Sequence, residues 1–390
     1  MPLNTDDPAT SLPEPGADEA EHSLRLIELM QSEMSTGPID FSRFMELALY
    51  APGLGYYSAG KTKFGESGDF VTAPELGNVF ARCLARQCAQ VLDELNGGDI
   101  LEAGAGNGAL AADILLELEN LQLLPRHYYI LELSADLRQR QHHRIAGIAP
   151  HLLERVRWLD DFPETGFEGI ILANELLDAM PVSVFHVMDD GIMQRHVTME
   201  DNRFAWTDLP ASPQIRQRVK ALGLEGDYCS EINLNAEAWI RSAATTLTRG
   251  IMLLIDYGFP QHEYYHPQRN MGTLMCHYRH HAHTDPLAYV GLQDITAHVD
   301  FTAMAQAAVD SGLDVLGYTS QAAFLMASGL DEIMAGSHPD DARQHLDLTI
   351  QVKKLTLPSE MGELFKVLAL GKDFDASLIG FSLQDRRDRL

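Results

Sequence analysis

Cysteine is scarce in this chain: there are four in 390 residues, Cys83, Cys88, Cys229 and Cys276, and no C-x-x-C pair among them. That excludes a disulfide framework and leaves reduced, buried thiols as the expectation. No stretch approaches the roughly 18 consecutive apolar residues of a membrane span. Basic charge is also short, with 29 Lys and Arg against 56 Asp and Glu, a net charge of −27. Binding to a phosphate backbone depends on basic side chains that release counterions, so no nucleic-acid partner is expected. The same charge suits a basic partner, although it bears first on solubility. Neither a G-x-S-x-G elbow nor a Walker loop occurs, which weakens hydrolase and kinase readings. Residues 1–22 have neither the apolar core of a signal peptide nor the arginines of a transit peptide, so they read as a disordered acidic tail and the expected location is cytoplasmic.

What is present is an ordinary globular composition, 45% hydrophobic and 22% charged, enough for two domains or one domain with insertions. Apolar spacing predicts helices over 23–34, 39–49 with Asp40 as N-cap, and about 77–95. From Asp99 strands and helices alternate: strands 99–103, 127–132, 155–159, 169–174, 251–256, 313–318 and 364–370, and helices 108–119, 135–146, 235–248 and 300–311. That alternation predicts an α/β fold with a parallel sheet covered on both faces. Two stretches interrupt it. Residues 181–232 contain the alternating runs VSVFHVM and IMQRHVTM around the turn signal Asp189–Asp190–Gly191, which predicts a hairpin. Residues 257–299 are rich in His, Tyr, Gly and Pro, and a connection that long reads as a lid or binding segment. The expected organisation is therefore a tail (1–22), a helical N-terminal cap with a ligand-contacting loop (23–98), and a core (99–390) with insertions at 181–232 and 257–299.

The stretch ILEAGAGNGAL, residues 100–110, is the centre of the pattern: a short apolar strand, Glu102, glycines at 104, 106 and 108, then a helical run. Glycine lets the chain turn sharply and a ligand approach its backbone, and the helix start presents unpaired N–H groups. By itself this fits an S-adenosylmethionine site, a dinucleotide site or a plain turn. Glu132 ends the second strand, where an acid can accept both ribose hydroxyls, and Asp160, Asp161 and Phe162 follow the third, where an acid and an aromatic can meet adenine. Asn174, Glu175 and Asp178 emerge at the end of the fourth, and two carboxylates there can hold a guanidinium or ammonium group. Asp256–Tyr257–Gly258 ends the fifth in the same way. His277, His280, His281 and His283 lack the carboxylate or cysteine frame of a specific metal site, so no metal is expected.

Together the segments GYYSAG, FGESGDFVTAPELGNVF, LEAGAGNGAL, ANELLDAMPV, DYGFP, RNMGTL, GLQDITAHVDF and PSEMGELFKVLAL resemble, in the same order, the MidA-type methyltransferases, a family that includes the mitochondrial complex I assembly-factor arginine methyltransferase. The resemblance runs from about Gly37 to Gly371. It implies a Rossmann-like class I sheet that uses S-adenosyl-L-methionine. It also implies that Glu102, Gly104, Gly106 and Gly108 hold the cofactor's methionine end and Glu132 its ribose, that Asp69 and Thr72 close over it, and that Asn174, Glu175 and Asp178 line the acceptor site. His298 or Asp300 is then a candidate to accept a proton or close the cleft. The implied acceptor is an arginine of a protein, for the mitochondrial member one on a respiratory complex subunit. The alternatives are a small-molecule methyltransferase and a cofactor-binding assembly chaperone without catalysis. The chain departs from the mitochondrial form in lacking a transit peptide and in having Asn174 where that form has a different polar residue, so it reads as a bacterial relative. Its oligomeric state is not set, and a homodimer stays open.

Overall fold

The structure, a computed structural model, describes residues 12–59, 72–164, 166–336 and 342–390. Contacts divide the chain into two compact units. The larger comprises Thr72–Met180, Asn233–Asn270 and His298–Leu390. Its sheet contains β1 (Asp99–Ala103), β2 (Tyr128–Leu131), β3 (Val156–Leu159), β4 (Phe167–Asn174), β5 (Leu247–Phe259), β6 (Asp314–Ser320) and β7 (Phe365–Lys372), in the spatial order β6-β7-β5-β4-β1-β2-β3. A two-residue strand, Val299–Asp300, pairs in parallel with the end of β5.

The strands are nearly continuous apolar runs because both faces of the sheet are covered. Period-2 alternation sorts their side chains. Ile100, Ile170, Leu172, Leu253 and Val367 enter one core with α1 (Val79–Glu94), α2 (Ala109–Asn120) and α3 (Ala135–Ile148). Leu101, Ile171, Leu254 and Leu368 enter the other, with α4 (Leu234–Thr246) and α5 (Phe301–Asp310). Strand order reverses between β1 and β4, and in such sheets the C-terminal edge at the reversal is where ligands collect.

The expected α/β class is therefore present, and the expected parallel sheet is mixed at one edge. β7 runs antiparallel to both β5 and β6. Ser320 at the end of β6 and Tyr257 near the end of β5 pair with Lys366 and Phe365 at the start of β7, so the connection leaves and re-enters the sheet at the same edge. A parallel strand would need a crossover to the opposite edge. Among the described residues that connection holds four helices absent from the sequence reading, Gln321–Ala327, Leu330–Ala335, Ala342–Thr356 and the short Met361–Leu364.

The smaller unit draws its described residues from the N-terminal region, Pro181–Ile232 and Met271–Ala297. Helices Ala17–Glu33 and Phe41–Tyr50 pack with a five-stranded antiparallel sheet around Phe41, Phe44, Val184 and Val197. The Asp189–Asp190 turn joins Ser183–Met188 to Gly191–Glu200 as an antiparallel hairpin, as expected. The first helix begins six residues before the expected start at Ser23. Glu19 accepts a hydrogen bond from the Gly16 N–H at 2.9 Å, a cap that builds a first turn from what reads as acidic tail. The stretch 257–299, read above as a lid or binding segment, holds a three-stranded sheet, Met275–Tyr278, His281–His283 and Asp294–Thr296. Helix Val79–Glu94, grouped above with the N-terminal cap, lies in the larger unit. All four cysteines are free and buried. No described helix is long and apolar enough to cross a membrane.

Candidate active site

At the C-terminal end of β1, Gly104, Gly106 and Gly108 all adopt positive φ, +71°, +51° and +84°. Their lack of a side chain does different work at each position. A Cβ on Gly104 would come within 2.9 Å of Leu176 Cδ1, and one on Gly108 within 3.0 Å of Gln141 Cα, so these two glycines permit close packing. A Cβ on Gly106 would meet nothing within 4 Å, which leaves backbone facing open space. Gly108 caps α2 without a side chain, and Asn107 Oδ1 accepts from the Ala109 N–H at 3.1 Å. Asn107 Nδ2 donates to Glu75 Oε1 at 2.6 Å, tying the short 3-10 turn Ala73–Glu75 to the glycine turn. Thr72 stands at the start of that 3-10 turn, and Asp69 lies outside the described residues.

Glu102 is buried on the α1/α2/α3 side of the sheet and accepts from Tyr128 Oη at 2.8 Å. Burial pushes its pKa up to about 7, opposed by the tyrosine hydrogen bond and helped by the nearby charge of Glu132. Glu132 sits at the end of β2, 9% exposed. Its Oε1 accepts from the Ser134 N–H at 2.9 Å and its Oε2 from Gln141 Nε2 at 3.1 Å. Burial raises its pKa against those hydrogen bonds. The next residue, Leu133, is 81% exposed, an apolar side chain left in the open beside an acid. At the end of β3, Asp160 pairs with Arg138 at 2.7 Å, Asp161 is exposed, and Phe162 packs on Trp239 with ring centroids 5.6 Å apart.

Across the strand reversal, β4 ends in Asn174 and Glu175. Glu175 has φ +50° and its N–H donates to Ile255 O at 2.9 Å. Its carboxylate accepts from Asn174 Nδ2 at 3.2 Å and from the Ala73 N–H. Burial, reinforced by the charge of Asp178, pushes its pKa up to about 8. The segment 175–180 is a turn rather than the helix under which the two acids would share a face. They meet for another reason. Asp256, at 1% exposure, accepts from the N–H groups of Leu177 and Asp178 at 3.0 and 3.3 Å and from that of Tyr257 at 2.9 Å, so one buried carboxylate shapes the turn that carries another. Burial and the charges of Asp178 and Glu175 hold Asp256 well above the usual carboxylate range. Burial also raises Asp178, while Tyr257 Oη donates to its Oδ2.

Glu175, Asp178 and Asp256 thus form a cluster with no ion pair to a lysine or arginine among the described residues. Asp178 Oδ1 and Asn174 Oδ1 are buried without a hydrogen-bond partner there. Buried carboxylates without counter-charge are costly unless protonated or met by a cation. His298 lies edge-on to the Tyr257 ring, centroids 5.2 Å apart, and 5.3 Å from Phe259. Asp300, expected beside it as a proton acceptor, instead caps α5, with Oδ1 accepting from the N–H groups of Thr302 and Ala303 at 3.1 and 3.2 Å.

The sequence reading noted Asp256 and Tyr257 as a strand end without a role, and it missed Glu75 and Gln141. The acid at the end of an apolar strand was a signal for Asp256, whereas nothing in its helical pattern marks Gln141. The histidines at 277–283 fall on or beside the small three-stranded sheet, and among the described residues no group of three or more His, Cys, Asp or Glu is placed to hold a metal ion.

Residues 83–319 match a family described as "Putative S-adenosyl-L-methionine-dependent methyltransferase". A protein from Burkholderia thailandensis, solved bound to S-adenosyl-homocysteine, is 46% identical and superposes with a TM-score of 0.94 over 97% of this chain and 100% of its own. Among curated relatives, the mitochondrial protein arginine methyltransferase NDUFAF7 of Homo sapiens is 28% identical, covering 91% of this chain and 85% of its own length. The Drosophila melanogaster homolog is 26% identical over 90% and 86%. The open backbone at Gly106, the acid at the end of β2 and the packed glycines on either side fit a cofactor with a nucleoside and an amino-acid end. The chain belongs to the MidA-type family of class I methyltransferases and depends on S-adenosyl-L-methionine.

Proposed function

We propose that this methyltransferase acts on an arginine guanidinium presented by a protein. The observation that carries the reading is the cluster of Glu175, Asp178 and Asp256, buried together without a cation and with Asp178 Oδ1 unpartnered among the described residues. A guanidinium supplies the missing charge and has N–H donors for two carboxylates at once. The names of the human and Drosophila relatives, both protein arginine methyltransferases, support the same acceptor.

Bound S-adenosyl-L-methionine supplies a methyl group already activated on a sulfonium. The task left to the protein is alignment, and near-attack positioning is worth roughly 7–11 kcal/mol. In this reading Glu132 accepts the ribose hydroxyls, Leu133 offers its exposed side chain to the adenine, and the Gly106 backbone lies along the methionine end. Asp178 Oδ1 and the Glu175 carboxylate accept N–H groups of the guanidinium and turn one nitrogen toward the methyl group. The Tyr257 hydroxyl, donating to Asp178 Oδ2, fixes that carboxylate. The cationic guanidinium favours the ionised form of Glu175 while it is bound; as the nitrogen–carbon bond forms and the sulfur–carbon bond breaks, the proton displaced from that nitrogen passes to this carboxylate, which its surroundings bias toward protonation. Asp300 Oδ1 is committed to the N-terminus of α5, so in this reading the proton goes to Glu175 rather than to Asp300.

Incubation of the protein with methyl-labelled S-adenosyl-L-methionine and a lysate from cells lacking its gene tests the acceptor. Label is expected in protein, released as methylarginine on hydrolysis. Label confined to small molecules would replace the acceptor with a free amine, and no label with intact cofactor binding would favour a non-catalytic assembly role.

A further inference from the structure

Gln141, in the second turn of α3, is wholly buried although its side chain is polar. Its Nε2 donates to Gly106 O at 3.0 Å and to Glu132 Oε2 at 3.1 Å, and its Oε1 accepts from Trp158 Nε1 at 2.9 Å. The amide orientation is fixed by chemistry: an indole N–H can only donate, while a carbonyl and a carboxylate only accept, so the oxygen must face Trp158. Both amide protons are therefore committed. One side chain spans three elements: the glycine turn after β1, the acid at the end of β2, and β3. The absence of a side chain at Gly108 lets it come so close, because a Cβ there would lie 3.0 to 3.3 Å from the Cα, Cβ and Cγ of Gln141.

We propose that Gln141 is a positioning residue for the cofactor, holding the Glu132 carboxylate and the Gly106 carbonyl in fixed relation so that ribose and methionine ends are gripped in one register. The inference rests on reading Glu132 as the ribose acid. A buried amide is costly unless its hydrogen bonds are made, and an apolar side chain would fill the space without that cost. What the amide adds is a fixed geometry between two cofactor-facing groups and a hydrogen bond that keeps Glu132 in its charged, accepting form. Arg138, from α3, also favours ionisation of Glu132, and the charge of Glu132 in turn raises the pKa of Glu102, from β1.

The test measures S-adenosyl-homocysteine affinity by calorimetry across pH for full-length wild type, Gln141→Leu, Glu132→Gln and the double variant. Gln141→Leu is expected to weaken binding about tenfold or more, as loss of a charge-assisted hydrogen bond would. The double variant should lose clearly less than the sum of the two single losses, because Gln141 acts in large part through Glu132 and only in part through the Gly106 carbonyl. The acidic limb of affinity should move to higher pH in Gln141→Leu and disappear from both Glu132→Gln backgrounds. The KM for the cofactor should rise while kcat at saturation stays within about threefold, a split that general loosening would not give. Should Gln141→Leu fail to fold, Trp158→Phe removes only the donor that orients the amide and should weaken binding about threefold with the same limb shift. Additive effects, an unmoved limb or wild-type affinity in Gln141→Leu would overturn the inference. Unchanged affinity in Glu132→Gln would instead overturn the ribose reading beneath it.

Discussion

Glu175 carries two costs at once: a left-handed backbone at φ +50° and a carboxylate held among other carboxylates. Non-glycine residues in that region cost on the order of 1–3 kcal/mol and concentrate at functional sites. Glu175→Gln keeps the shape and removes the charge, so kcat is expected to fall by about 10²–10³, as when one charge-stabilising group is lost, with S-adenosyl-homocysteine affinity unchanged; steady-state kinetics and calorimetry read the two. The raised pKa also sets a stability trend. An acid that titrates near 8 when folded, against an ordinary value of 4.5, binds more protons folded than unfolded between those limits. Its contribution is therefore full below about pH 4.5 and is lost as pH rises through 8. Glu102, pushed up to about 7, acts in the same direction. The cofactor-free protein is expected to melt at lower temperature at pH 8.5 than at pH 6.5, less steeply in Glu175→Gln, and a flat profile in both would contradict the cluster's protonation. At this scale the sequence made the three glycines and the acids at strand ends legible, since each is a residue type out of keeping with the apolar run before it. It could not reveal Gln141, whose partners come from three elements far apart in the chain, or the way Asp256 gathers the N–H groups of Leu177 and Asp178.

The strands and crossover helices were readable as elements because strands buried on both faces are uninterrupted apolar runs bounded by turn residues, as IILAN and IMLLID are. The direction of β7 was not, because FKVLAL reads the same whichever way it enters a sheet. The helices between β6 and β7 were missed because two of them span only 7 and 6 residues, too short for a helical period to declare itself. Elements also decide what Asp300 does. As the N-cap of α5, its loss to alanine is expected to cost about 1 kcal/mol of stability, seen in denaturant unfolding, while Asp300→Asn, which can still cap, should cost less. Neither change should alter kcat at saturating substrates below the melting range, and a tenfold drop in a folded Asp300→Asn protein would return it to the catalytic set.

For the molecule as a whole, a net charge of −27 favours approach by basic segments and disfavours nucleic acid. The family and the cofactor follow from the match over residues 83–319 and from the 46% identical protein bound to S-adenosyl-homocysteine. The acceptor is the central claim, and it depends on three buried carboxylates that meet no cation among the described residues. Quantitative mass spectrometry of methylarginine in proteins from cells lacking the gene, and from the same cells carrying wild type or Glu175→Gln, tests it most directly. The account predicts at least one methylarginine lost on deletion, restored by wild type and not by Glu175→Gln. An unchanged set of methylarginines in all strains, with the wild-type protein present and binding S-adenosyl-homocysteine, would contradict it.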